Sequence, residues 1–179
     1  MTELETVRTF YRFNAGARHR YLETILSLSG PDRLKDRGAS YPSLQEIYVH
    51  VLDALRFWFE LVPQDRVGEA LSRELPARSL TDAQLREETG KIERIVDDFL
   101  APLGPTDLAR EIICHFPTES GSPGPERRII IGDILWHMIE EEFQHRGELN
   151  ALLWQVDVDP PIGTFEQWVE AKSERMYEP

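Results

Sequence analysis

Cysteine is almost absent: Cys114 is the single one in 179 residues, which excludes a disulfide framework within the chain. That usage fits a reducing, cytoplasmic setting. Long apolar runs are missing too, and no stretch approaches the roughly 18 residues needed to span a membrane. The first residues, Met1-Thr2-Glu3-Leu4-Glu5, are acidic and lack the basic flank and apolar core of a signal peptide. Cations are outnumbered, with 20 Lys and Arg against 32 Asp and Glu and a formal charge of -12. An acidic surface without a basic block repels nucleic-acid backbones and anionic lipid, so neither is an expected partner. There is no Gly-rich phosphate loop, Gly-x-Ser-x-Gly elbow or Cys-x-x-Cys pair. Nucleotide chemistry, serine-type hydrolysis and dithiol redox chemistry therefore lack support. Repeats, low-complexity tracts and long linkers are also lacking, and residues 1–179 are expected to form a single soluble domain.

What the chain does contain is helical periodicity. Val7, Phe10, Asn14, Ala17, Tyr21, Ile25 and Leu28 recur at helical spacing and predict an amphipathic helix over residues 3–29, ended by Gly30-Pro31. Ser43 and Glu46 read as a capping box that opens a second helix. Its stripe runs Leu44, Ile47, Val51, Leu55, Trp58 and Val62, and Pro63 closes it. Residues 64–79 are charged and turn-rich, a surface excursion. Thr81 and Gln84 open a third helix carrying Leu85, Ile92, Ile95, Phe99 and Leu100. Gly90 weakens it, and Pro102 with Gly104-Pro105 ends it. Residues 108–116 and 126–131 read as two short strands around an irregular loop at 119–125. A fourth helix is predicted from Gly132 or Asp133 to Trp154, and a short terminal one from Thr164, which Gln167 helps to cap. The expected fold is an all-α, up-down four-helix bundle with a small strand insertion between helices three and four and a short C-terminal helix.

The fourth helix carries the chemistry. His137, Glu141 and His145 lie one turn apart and form a column, with Ile134, Leu149 and Leu152 on or beside it. The column is therefore expected to face a hydrophobic interior. A carboxylate and imidazoles are costly there unless neutralised, which a divalent metal ion does directly. The second helix offers His50, beside Ile47, Ala54 and Phe57. His50, Glu141 and His145 would supply two neutral nitrogens and one carboxylate, leaving positions open for water or substrate. An open position implies Lewis-acid or activated-water chemistry. The competing reading is a non-catalytic stress or interaction bundle whose polar column is hydrogen-bonded, since Glu140-Glu141-Glu142 allows the face to shift by one residue. Glu142-Phe143-Gln144-His145 also fits the Glu-x-x-His motif of di-iron bundles. That motif needs a second copy, and Glu46 and His50 are four apart, so the di-iron reading is disfavoured. His19, within Arg18-His19-Arg20, reads as part of a solvated basic turn. His115 reads as a strand residue without neighbouring ligands, and Cys114 as a small buried hydrophobe.

Together these residues resemble the DinB-like (DinB/YfiT) superfamily of metal-binding four-helix bundles. The resemblance rests on Phe10-Tyr11-Arg12-Phe13-Asn14-Ala15 in the first helix, on Ser43 to His50 followed by Trp58, and most specifically on Leu135-Trp136-His137 through His145-Arg146-Gly147-Glu148-Leu149. Such proteins usually bind one ion through three histidines, one on the second helix and a His-x-x-x-His pair on the last. Those positions correspond to His50, Glu141 and His145, so glutamate stands where the middle histidine is usual. The resemblance implies a divalent ion (zinc, nickel, iron or manganese), with His137 either supporting the ligands or replacing one. It further implies a metal-dependent transferase or hydrolase acting on a small-molecule or thiol substrate, as in the thiol-dependent S-transferases and isomerases of the superfamily, and a homodimer.

Overall fold

The computed structural model describes residues 2–70, 72, 74–118, 122–161, 165 and 168. Five helices and one two-stranded sheet make up its regular structure: α1 (Glu3–Ser27), α2 (Gly30–Arg33), α3 (Leu44–Arg56), α4 (Asp82–Leu100), β1 (Glu111–Pro117), β2 (Pro123–Ile130) and α5 (Ile131–Trp154). The long helices α1, α3, α4 and α5 pack around a shared core, and the hairpin is inserted just before α5. This is the expected all-α bundle with a strand insertion.

Each long helix follows its apolar period. Val7, Tyr11, Ala17, Tyr21 and Ile25 of α1 meet Ile47, Leu52 and Leu55 of α3, Leu85, Ile92 and Val96 of α4, and Ile134, Leu135, Met138 and Leu149 of α5 in one cluster. The caps are set by short polar side chains that satisfy otherwise orphaned amides. Thr2 and Thr81 form complete capping boxes with Glu5 and Gln84. The expected box at Ser43 is only half formed. Its hydroxyl accepts from the Glu46 amide at 3.3 Å, but the Glu46 carboxylate takes the Ser43 hydroxyl at 2.6 Å instead of the backbone N–H. Gly90 is carried inside α4 without breaking it.

Several boundaries differ from the sequence pattern. α1 stops at Ser27, because Ser29 caps a separate single turn in which Pro31 occupies the first positions. Residues 57–61 continue α3 as a π-turn, closed by the Val62 amide bonding the Phe57 carbonyl at 2.9 Å. One residue is thereby added to the turn, which re-aims the side chains beyond it. The first strand begins at Glu111 because 105–109 form a 3-10 turn. The second begins at Pro123, so residues 123–125, expected to be irregular, extend the hairpin instead. Ile131 belongs to α5, not to the strand; its amide caps the hairpin junction on the Arg110 carbonyl at 3.0 Å. Gly124 is required in β2, since a Cβ there would lie 2.3 Å from the Phe116 carbonyl oxygen. The terminal helix expected from Thr164 lies, apart from Phe165 and Trp168, outside the described residues; those two rings pack on Phe13 of α1. Among the described residues no helix is long and apolar enough to cross a membrane.

Candidate metal centre

The packing of α3 on α5 brings one side chain of the first helix against two of the second. His50 Nε2 lies 3.0 Å from Glu141 Oε1, and His145 Nε2 lies 3.1 Å from that same oxygen. The candidate ligand atoms of the three residues all fall within 4.8 Å of one another. His145 is buried, while His50 and Glu141 are half-buried at the edge of a cavity.

Neighbouring groups hold the two rings. The Glu148 carboxylate lies 2.7 Å from His145 Nδ1 and also accepts from the Ser40 hydroxyl at 2.7 Å. A carboxylate on Nδ1 selects the tautomer that carries its proton there, leaving Nε2 as a bare lone pair. Tyr41 stacks on His50 with ring centroids 3.9 Å apart and meets His145 edge-on. A second carboxylate, Glu141, lies at Nε2, so the ring either carries both protons and donates to each carboxylate or, when neutral in that tautomer, sets a lone pair against Glu141 Oε1 across 3.1 Å, a conflict that a cation between them would remove. Nitrogen and oxygen ligands about 2.0–2.2 Å from one ion sit roughly 3.4 Å apart in a tetrahedron, so the two contacts to Glu141 would need to open by only a few tenths of an ångström. The donor set and spacing fit a divalent ion.

The family model described as the DinB family matches residues 1–176. The chain belongs to the DinB family. No curated protein matches it. Within this DinB protein, Glu141 occupies the centre of the cluster, contacting both imidazoles through a single oxygen.

The protonation of the cluster suits ion binding. Burial pushes the His50 imidazole below its ordinary range, outweighing the hydrogen bond to Glu141, and so favours the neutral form. Burial alone would raise the Glu141 carboxyl, but hydrogen bonding from His50 and the charge and hydrogen bond of His145 prevail and lower it. Glu148 is likewise lowered, its burial being outweighed by Ser40 and His145.

The rest of the predicted column turns out differently. His137 is exposed and meets the Trp58 ring edge-on with centroids 5.3 Å apart, outside the hydrophobic interior expected for it. With Glu140 and Glu141 it forms a second, more exposed group of potential ligands. The fully buried glutamate is Glu142, the next residue along α5, which is bonded to side chains of α1. It accepts from Arg18 at 2.5 Å and Asn14 at 3.2 Å. It is therefore committed to an ion pair in the core, which removes the Glu-x-x-His di-iron geometry. Arg18 is correspondingly not part of a solvated turn: Arg18-His19-Arg20 lies within α1, with Arg18 buried and His19 exposed against Glu93. His115, expected to lack ligand neighbours, is clasped by Asp65, which accepts its amide at 2.6 Å and lies 2.9 Å from its Nδ1. Cys114 is fully buried, and burial raises its thiol.

Beside the cluster lies a cavity of about 340 Å³ whose walls include His50, Glu141, Tyr41, Asp53, Phe57 and Trp58, within the size range of small-molecule sites. Asp53, one helical turn after His50, was not singled out by sequence. Burial raises its carboxyl to about 6, opposed by the Leu75 amide and by Arg56. A raised carboxyl favours the folded state fully only below the unfolded value near 3.8, and that advantage is lost as the pH climbs through about 6. Asp53→Asn is therefore expected to gain about 1–2 kcal/mol relative to the parent between about pH 4 and pH 7. Urea unfolding across that range measures the difference; a gap independent of pH would show that Asp53 titrates as in the unfolded chain.

Proposed function

We propose that this DinB-family protein is a metal-dependent enzyme, a thiol S-transferase or closely related small-molecule transferase, built on His50, Glu141 and His145. The carrying observation is the convergence of those three acceptors, two of which, His50 and Glu141, are on the wall of a cavity. A bound divalent ion would supply Lewis acidity that favours the deprotonated form of a thiol or a water. His50 and His145 would offer lone pairs, and Glu141 would offset part of the positive charge. Glu148 fixes the orientation and tautomer of His145, Tyr41 holds the His50 ring, and Phe57 and Trp58 exclude water from the electrophile. A carboxylate in place of a third imidazole favours harder ions, so iron and manganese stand beside zinc and nickel as occupants.

Elemental analysis of protein purified without added metal tests the reading. A near-stoichiometric divalent ion, with thiol-dependent turnover of an electrophile such as 1-chloro-2,4-dinitrobenzene that chelator abolishes, is expected. A metal-free preparation that takes up no divalent ion would overturn it. One observation favours the non-catalytic alternative: a proton on His145 would let it donate to both Glu141 and Glu148, satisfying the cluster without an ion. Glu141 separates the two. Glu141→His restores three imidazoles and is expected to keep ion binding, whereas Glu141→Ala is expected to weaken it by at least about tenfold. Isothermal titration with zinc and manganese reads both, and unchanged affinity in Glu141→Ala would remove Glu141 from the ligand set.

A further inference from the structure

The cavity beside the cluster is unevenly charged. Asp53, Glu74 and Glu141 are on its wall, and Arg56 is the one cationic side chain among its described lining residues. That guanidinium is already engaged, 3.3 Å from Asp53 and 2.9 Å from Glu88 outside the cavity. At the end of the cavity away from the proposed centre, Asp53 and Glu74 face this one guanidinium, which is shared with Glu88, so that end is net acidic. The remaining walls are aromatic. Tyr41, Phe57 and Trp58 present ring surfaces, which attract organic cations and tolerate neutral groups. Asp53 sits on the same side of α3 as His50, one turn away, so a molecule anchored at the cluster can reach it with a short chain.

We propose that the cavity selects a thiol bearing an amine, with the sulfur directed to the His50–Glu141–His145 cluster and the ammonium to Asp53. This rests on the metal-dependent reading above and adds the charge class of the substrate. Asp53 acts as the specificity-determining residue, and an anionic thiol of the same length meets repulsion from Asp53 and Glu74.

The test uses full-length protein loaded with cobalt(II), whose thiolate charge-transfer absorption reports sulfur binding directly. Cysteamine, 2-mercaptoethanol and 3-mercaptopropionate are titrated as positive, neutral and negative probes of matched length. Their thiols differ in intrinsic acidity, so the deciding quantity is the ratio of cysteamine to 3-mercaptopropionate affinity in the parent divided by that ratio in Asp53→Asn, where intrinsic differences cancel. A quotient of about ten is expected, with 2-mercaptoethanol affinity changed less than twofold. Glu74→Gln, at the exposed rim, is expected to lower the ratio by a smaller factor, and circular dichroism confirms that each variant is folded. If all three thiols give the absorption band and the quotient is near one, the charge selection is wrong while the thiol reading survives. If no thiol produces the band in cobalt-loaded protein, the metal-dependent thiol reading itself fails and this inference falls with it.

Discussion

Glu142→Leu is expected to destabilise the protein by about 3–5 kcal/mol, the cost typical of removing one partner from a buried ion pair. Arg18 is only 5% exposed and Glu142 4%. The lost carboxylate leaves the Arg18 guanidinium, whose Nε already lacks a hydrogen-bond partner, uncompensated in the core. Arg146, held by Asn14 at 2.6 Å and lying over Phe13 and Phe143, shares that environment and would also lose the field of Glu142. Pairing the change with Arg18→Met is expected to recover most of the loss, because replacing both charges leaves none to desolvate. Denaturant unfolding of the two single variants and the double variant gives the coupling energy. A double variant no more stable than either single one would show that the pair supports something beyond its own charge balance. Glu142 is held by Arg18 and Asn14 of α1 and is not one of the clustered ligand groups, so ion affinity in the surviving folded fraction is expected to be unchanged.

Chelator is expected to produce the second large effect, and on the neighbouring residue's side of the helix. Binding to the native state alone stabilises by mass action, about 4 kcal/mol when the free ion is at a thousand times its dissociation constant. Removing the ion from the parent protein should therefore lower its unfolding midpoint sharply. His145→Ala should begin near the chelated level and respond little to chelator. Calorimetry with and without chelator compares them; equal responses in parent and variant would place the stabilising ion somewhere other than this cluster.

The two expectations concern adjacent residues, and that adjacency explains what could be read from sequence. The period of α5 put Glu141 and His145 on one face and suggested a partner on α3, because apolar neighbours marked that face and His50 lay on the matching edge. The same period could not say which of three consecutive glutamates was buried, since hydropathy treats them alike. The answer lay in polar residues recurring four apart inside apolar stripes: Asn14 and Arg18 on α1, Glu142 and Arg146 on α5, of complementary chemistry. Read as a pair, those spacings mark a buried network. Arg18 was masked by standing next to two other basic residues. Tyr41 and Ser40 lie before α3 in a segment without period, so nothing local marked their approach to His50 and Glu148. Asp53 was legible only as a polar residue on a half-buried helix; its role as a cavity wall depends on the π-turn that follows.

Glu148 joins the centre to the chain that leads into α3. One carboxylate oxygen meets both the His145 ring and the Ser40 hydroxyl, and Tyr41, the next residue, covers His50. The loop and the ligand cluster are thus parts of a single equilibrium. An ion bound at the proposed centre would fix His145 and, through Glu148, Ser40; by thermodynamic reciprocity a contact that immobilises this loop would then raise ion affinity by an equal factor.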